Sequence, residues 1–397
     1  MSQQPERAEI LPLRQAPLGK VPLLDVGRGN GPLREEFLAA IANVIDSGRF
    51  LHGPEVTELE NNVARVCGVP HAIACASGSD ALLLALMAID LKPGDEVIVP
   101  SFTFFATASA VWRLGAKPVF VDIDPATFNI DPAAIEAAIV PATRAIVPVH
   151  LFGQCAEMDA ILDLARRHDL RVIEDAAQSI GATYHGRPAG SLGDMGCLSF
   201  YPTKNLGCFG DGGMLTTRDG ELAQRLRLLA GHGMSPRYYH REVGINSRLD
   251  TVQAAILSVK LQYLDEWTNA RRANAARYWQ LCSAAGIDRR LELPQATTGQ
   301  GHVWNQYTVR VGNGCRDEVK ASLAQAGVGA EIYYPVPLHL QQCFASLGYR
   351  EGSLPATEQA AREVLSLPIF PELTDAELQT VVVRLDEALA TRRAIAA

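Results

Sequence analysis

Residues 71–89 read HAIACASGSDALLLALMAI. The stretch joins an apolar run of strand length, a Ser-Gly-Ser-Asp turn and an apolar run of helix length. The same unit recurs downstream. DEVIVP (95–100) precedes FATASAVWRL, KPVFVDI precedes DPAAIEAAI, RAIVPVHLF precedes MDAILDLARRH, and RVIEDAA, MGCLSF and GGMLTT follow. Strand, crossover helix, strand is the rhythm of a mostly parallel sheet covered by helices on both faces. Ligands of such sheets sit beyond the carboxyl ends of the strands, so that edge is where chemistry is expected.

Residues 219–285 read as long helices, GELAQRLRLLA and then RLDTVQAAILSVKLQYLDEWTNARRANAARYWQLCSAAG. HVWNQYTVRV and VGAEIYY read as strands around the helix CRDEVKASLAQAG. A last helix is expected in TDAELQTVVVRLDEALA, with Thr374 as N-cap and Glu377 as its capping-box partner. We expect a loosely ordered arm over 1–25, a large domain over 26–269 that opens with a helix from about Pro32 to Asp46, and a small domain over 270–397.

Composition narrows the function. The chain has 397 residues, 48% hydrophobic and 20% charged, with a formal net charge of −8 and no basic block that could track nucleic-acid phosphates. No apolar stretch is long enough to span a bilayer, and the first twenty residues lack the apolar centre of a signal peptide, so a cytoplasmic protein is expected. Eight cysteines lie scattered without CxxC or Cys/His metal spacing, so reduced thiols and no metal are expected.

Four signals fall on the carboxyl edge. The Ser77-Gly78-Ser79 turn before a helix offers backbone N–H groups, hydroxyls and the positive dipole end to a phosphate, although Ser77 could equally be an ordinary N-cap. RVIEDAAQ ends a strand in Glu174 and Asp175, and a half-buried carboxylate there could hold a proton on a basic nitrogen; the alternative has Asp175 capping a turn and Glu174 facing solvent. Gln178 lies three positions on, where a helical turn faces the same side. In SFYPTKNLGCFGDGG (199–213) a single lysine, Lys204, stands among aromatic and glycine residues. A lysine in an apolar pocket has a lowered pKa, and its neutral amine can attack a carbonyl. PSFTFFATA (100–108) brings phenylalanines to the same edge, and one of them could stack on a planar ring rather than join the core. Together these describe a planar aromatic aldehyde with a phosphate and a basic ring nitrogen, which is pyridoxal 5′-phosphate.

With these motifs in view, the chain resembles the DegT/DnrJ/EryC1/StrS family of sugar aminotransferases. The likeness runs from LLDVGRGNG to LSLPIFPEL and is carried by SGSDAL, PSFTFFAT, GDEVIVP, HLFGQCAEMD, VIEDAAQSIGA, SFYPTKNLGCFGDGG, GINSRLDTVQAAIL and YYPVPLHLQ. The resemblance implies a fold type I pyridoxal-phosphate-dependent transferase: an α/β large domain whose mostly parallel mixed sheet is sandwiched by helices, plus a smaller C-terminal α/β domain. It implies Lys204 as the internal aldimine and as the general acid/base, Asp175 at the pyridine nitrogen, and Gln178 beside the ring hydroxyl. Gly78, Ser79 and Ser199 would hold the phosphate, Phe104 would be the stacking aromatic, and Asn246 would reach the phosphate of a partner subunit, so a homodimer is implied.

The implied reaction moves an amino group from a donor such as L-glutamate, by way of pyridoxamine phosphate, to a keto group on a nucleotide-linked sugar. The run KNLGCFGDGG resembles members acting at C3 more than those acting at C4. Tyr333, Tyr334 and His339 match a segment near the substrate, and His232 is a further candidate. A sugar dehydratase of the same family would carry histidine in place of Lys204. A regulatory protein that retains the fold is the non-enzyme alternative. The Gly27-to-Gly31 run is rejected as a dinucleotide fingerprint, because neither the strand-and-helix unit nor the acidic partner is present, and Ser199 lacks a G-x-S-x-G elbow.

Overall fold

Among the described residues twelve strands are formed in chain order: β1 His71–Cys75, β2 Glu96–Pro100, β3 Lys117–Val121, β4 Thr143–Ile146, β5 Arg171–Asp175, β6 Thr183–Tyr184, β7 Arg187–Pro188, β8 Met195–Ser199, β9 Gly213–Thr217, β10 Gln300–Gly301, β11 Tyr307–Arg310 and β12 Val364–Leu367. The structure, a computed structural model, describes residues 19–297 and 299–390; most of the expected N-terminal arm therefore lies outside the described residues.

Seven strands make the main sheet in the order β1-β9-β8-β5-β4-β2-β3. The β2–β3, β2–β4, β4–β5 and β5–β8 pairs are parallel, whereas β9 runs antiparallel to both β1 and β8. The pleat sends alternate residues to opposite faces. Ile73, Val97, Val99, Ile173, Cys197 and Leu215 pack on one face with Leu82, Leu84 and Leu86 of the helix Gly78–Ala88. Ile98, Ile146 and Val172 pack on the other face with Ile161 and Leu164 of the helix Met158–His168. Burial on both faces is why these strands read as continuous apolar runs rather than as alternating ones. Each fully buried leucine contributes about 1.5–3 kcal/mol.

A separate core joins Val21 to residues between Ala275 and Ala388, around the antiparallel pair β11–β12 and the helices Arg316–Gln325 and Asp375–Ala390. The capping box forms: Glu377 N–H donates to Thr374 Oγ1 (3.3 Å) and Thr374 N–H to Glu377 Oε2 (2.9 Å). Arg28, from the Gly27-to-Gly31 run, makes two 2.9 Å bonds to the same Glu377. The glycine run thus ties the amino-terminal segment to the last helix.

Several expectations need correction. VGAEIYY is not a strand; only single bridges, Val21 to Val328 and Glu331 to Ser366, form there. Pro335 and Pro337, directly after it, lack the N–H groups a ladder needs. HVWNQYTVRV is strand only from Tyr307 to Arg310, and RAIVPVHLF only over its first three residues, the end of the strand Thr143–Ile146, with a 3-10 turn at Leu151–Gly153. The helical span 219–285 breaks into Gly220–Ala230, Thr251–Leu261 and Leu264–Ala284, with irregular chain over 231–250. Among the described residues no helix is long and apolar enough to cross a membrane.

Candidate active site

The carboxyl ends of β1, β5 and β8 meet at one edge, and the antiparallel β9 brings its first residue there too. Gly213 pairs with both Cys75 and Ser199. A cavity of about 650 Å³ opens at this edge, within the range of small-molecule sites.

Lys204 stands in its wall. After Ser199 the chain turns, and Lys204 N–H closes the turn on Tyr201 C=O (2.9 Å). The flanks are pinned: Asn205 Nδ2 donates to Val303 C=O (3.0 Å), Lys260 Nζ to Gly207 C=O (2.6 Å) and Phe209 N–H to Gln253 Oε1 (2.8 Å). The backbone carrying Lys204 is therefore held on three sides. Burial pulls the Lys204 amine down from 10.5 to about 8, against the opposing pull of the Asp175 carboxylate. An amine so placed is readily neutral, as a nucleophile requires.

Asp175 ends β5, is 5% exposed, and lines the same cavity. Its Oδ2 accepts from Thr107 Oγ1 (2.7 Å) and its Oδ1 from Ala177 N–H (3.2 Å). Burial pushes its carboxyl above the usual range, while those bonds and the nearby Lys204 and His150 oppose the shift. Glu174, one residue earlier, points to the other face of the sheet. It is fully buried rather than facing solvent, and accepts from the N–H groups of Gly190, Leu192 and Gly193. His150 Nδ1 accepts from Ala156 N–H, so Nε2 carries the proton and donates to Glu174 (2.8 Å). Gln178 is fixed at both ends: Oε1 accepts from Phe152 N–H (2.6 Å), and Nε2 donates to Tyr334 Oη (3.3 Å).

Ser77 is the extended N-cap of the helix Gly78–Ala88, and its Oγ accepts from Asp80 N–H (3.1 Å). The first-turn N–H groups of Gly78 and Ser79 have no partner within that helix and open on the cavity beside Ser199. A Cβ on Gly78 would fall 2.6 Å from Ser199 Cβ, and one on Gly213 would fall 2.3 Å from the Ser77 carbonyl carbon. Only glycine permits so close a joint. Phe104, Tyr333 and Tyr334 complete the wall; Phe104 is 56% exposed, and its ring centre is 6.1 Å from that of Tyr334.

Three expected residues lie elsewhere. Asn246 is exposed and bridges to Gly231, and His232 is exposed beside it; neither lines this chain's own cavity. His339 is 1% exposed and does not reach the cavity. Its Nδ1 bonds Ser101 Oγ (2.7 Å) and its Nε2 bonds Glu358 (3.2 Å). It holds the segment after the two tyrosines down on the end of β2, where Leu338 N–H also meets Ser101 C=O. Removing the ring deletes its bonds to Ser101 and Glu358 and leaves a cavity, so His339→Ala is expected to cost about 2–3 kcal/mol, read by urea unfolding. Burial holds this imidazole below its ordinary pKa, outweighing the pull of Glu358. The folded state therefore binds its proton less well than the unfolded chain, and stability is lost as pH falls below about 6.5. An unchanged unfolding midpoint at pH 7 would show the contact to be incidental.

Sequence reasoning missed Thr103, Thr107, Tyr201, Asp211 and Gln306 as site residues. Thr107 contacts Asp175 directly, and the other four line the cavity. The only available signal was the four-residue spacing of Thr103 and Thr107 within PSFTFFAT.

A model of the DegT/DnrJ/EryC1/StrS aminotransferase family matches residues 32–386. The pleiotropic regulatory protein of Geobacillus stearothermophilus is 52% identical over 367 residues, which are 92% of this chain and 98% of that protein. The UDP-N-acetyl-3-dehydro-alpha-D-glucosamine 3-aminotransferase of Acidithiobacillus ferrooxidans is 47% identical over 361 residues, 91% of this chain and 96% of that protein. Among solved structures, S. venezuelae DesV in complex with a ketimine intermediate superposes with a TM-score of 0.90 at 45% identity, over 93% of this chain and 98% of that one.

Proposed function

The chain belongs to the DegT/DnrJ/EryC1/StrS aminotransferase family, and from that premise we propose that it moves an amino group from L-glutamate to the C3 keto group of a nucleotide-linked sugar. Its fold is that of the fold type I transferases, and its cofactor is pyridoxal 5′-phosphate. The observation that carries the reading is one cavity wall holding a lysine poised near pH 8, a buried carboxylate and the open first turn of a helix. The name of the 3-aminotransferase relative supports C3 over C4.

The residues fit the cofactor's chemistry. Bound there, pyridoxal phosphate supplies an aldehyde and a ring that draws electrons from the substrate carbon. The N–H groups of Gly78 and Ser79, with Ser199, bind the phosphate. Asp175 would hold the proton on the ring nitrogen, Gln178 would serve the ring hydroxyl, and Phe104 would cover a ring face; all three line the cavity. Lys204 would be the residue that anchors the cofactor's aldehyde, and its amine, once free, would serve as the general base toward the donor α-carbon and as the proton donor on the way back. Over both halves the donor becomes 2-oxoglutarate, and its nitrogen replaces the keto oxygen of the sugar. Tyr333 and Tyr334 stand where the sugar would lie.

We read the two cores as a large and a small domain meeting near residue 270. Asn246 would serve the phosphate of a partner subunit in a homodimer. Supporting this are its outward position and the exposed apolar side chains of Tyr238, Tyr239 and Val243 (75%, 70% and 90% exposed) on the same irregular stretch. Eight free thiols suit a reducing cytoplasm.

The name of the Geobacillus relative favours a second reading, a regulatory protein on the same fold. A panel of 3-keto and 4-keto nucleotide sugars, incubated with cofactor and glutamate and followed by mass spectrometry, separates the two. The expected result is amination of 3-keto sugars with release of 2-oxoglutarate. Amination of 4-keto sugars alone would overturn the regiochemistry; no amination with any donor would favour the regulator.

A further inference from the structure

Asp175 is the most buried ionisable group of the cavity wall, and a carboxylate out of water needs donors to stay charged. Each of its oxygens has one: Ala177 N–H reaches Oδ1, and Thr107 Oγ1 reaches Oδ2 at 2.7 Å, the shorter contact. Thr107 is fully buried in the first turn of the helix Ala106–Arg113. An ionised carboxylate can only accept, so the Thr107 proton is committed to Asp175. The second contact of Thr107 Oγ1, at 3.3 Å to the buried Thr103 Oγ1, is then one in which Thr103 donates. The hydroxyls run in one direction, from Thr103 to Thr107 to Asp175. The segment that presents Phe104 to the cavity thus also carries one of the two donors to the carboxylate, Thr107, and the hydroxyl behind it, Thr103.

We propose that Thr107 is a positioning residue for Asp175: backed by Thr103, it holds the carboxylate ionised and turned toward the cofactor's ring nitrogen. The inference rests on the reading of the cavity as a pyridoxal-phosphate site. The other titratable groups facing Asp175 are Lys204, His150, Tyr334 and Cys197. Lys204 and His150 favour the charged carboxylate, whereas Tyr334 and Cys197 would oppose it only if ionised, which burial prevents by pushing both groups up. Thr107 supplies the shortest of the hydrogen bonds to the charged form.

The test uses cofactor-free enzyme and pyridoxamine phosphate, which does not link to Lys204 and so reports the non-covalent contacts. Binding is measured by equilibrium dialysis from pH 5 to 9 for the wild type, Thr107→Val, Thr107→Ser and Asp175→Asn. The valine variant keeps the shape and removes the donor, so affinity at pH 8 is expected to fall about tenfold, the usual size for a hydrogen bond to a charged group. The acid-side midpoint of binding should move up by about one pH unit, because the unbonded carboxyl protonates more easily. Serine should restore both, with the melting temperature of the cofactor-free protein unchanged. Wild-type affinity and midpoint in Thr107→Val would overturn the inference, as would a loss uniform across pH that serine does not rescue. Asp175→Asn separates the layers: weak binding there with a normal Thr107→Val rejects Thr107 alone, whereas normal binding in Asp175→Asn rejects the reading of the site itself.

Discussion

Lys204→Ala is expected to lower kcat by at least about 10⁴-fold while the protein still folds, because one side chain carries two duties. In the proposed mechanism it is both the covalent anchor and the amine that carries protons between donor carbon and cofactor. Acid–base catalysis alone is worth about 10²–10⁴-fold, and loss of the anchor adds to that. Small primary amines in the assay should restore part of the proton-transfer step and none of the anchoring. Replacing the lysine with an uncharged side chain of similar length has an opposite effect on stability. The folded protein holds the Lys204 amine near 8, against 10.5 for the free side chain. Below pH 8 the buried amine is charged in both states and the fold bears the full penalty; between about 8 and 10.5 the folded state sheds the proton first and the penalty fades. Lys204→Met should therefore stabilise the cofactor-free protein by something on the order of 1 kcal/mol at pH 7, and by much less at pH 10, in denaturant titrations. Equal stabilisation at both pH values would mean that packing, not charge, is responsible. Retention of wild-type kcat in Lys204→Ala would remove the lysine from the mechanism.

Asp175→Ala is expected to reduce kcat/KM by about 10²–10³-fold, corresponding to the penalty for breaking a buried charge pair. On the proposed assignment the carboxylate would hold the proton on the ring nitrogen, and without it the ring would be a poorer acceptor of electrons from the substrate carbon. The loss should fall on kcat more than on KM, since the proposed phosphate cradle at Gly78, Ser79 and Ser199 lies at other strand ends. A variant impaired only in KM would place Asp175 in binding rather than in chemistry.

The parts of the molecule legible in the sequence were those with one dominant physical cause. β2, β4 and β5 are buried on both faces, so their apolar runs and the helices between them could be read directly. The Thr374–Glu377 cap was legible because its two residues satisfy each other locally. The rest depended on partners far away in sequence. VGAEIYY has strand composition but adjoins two prolines and leads its tyrosines to the cavity, so it pairs only at single bridges. His339 shares a motif with those tyrosines, yet its ring turns the other way, toward Ser101 and Glu358. Glu174 and Asp175 are neighbours with opposite fates, because the pleat sends one to the amide cluster at Gly190–Gly193 and the other to the cavity. Thr107 could not be found, since nothing in a sequence announces a hydroxyl 68 positions from the acid that it serves.

The placement of β9 also orders the events of folding. It is the last of the seven sheet strands in the chain, yet it lies between β1 and β8. Until it inserts, the turn after β1 and the end of β8 have no common neighbour, and the joint of Gly78, Ser199 and Gly213 does not exist. A chain emerging from the ribosome can assemble β2 to β5 while still lacking a place for a phosphate. If the proposed phosphate site lies at that joint, cofactor binding requires the completed sheet. Once captured, the ligand stabilises that finished state by mass action over every precursor that cannot bind it.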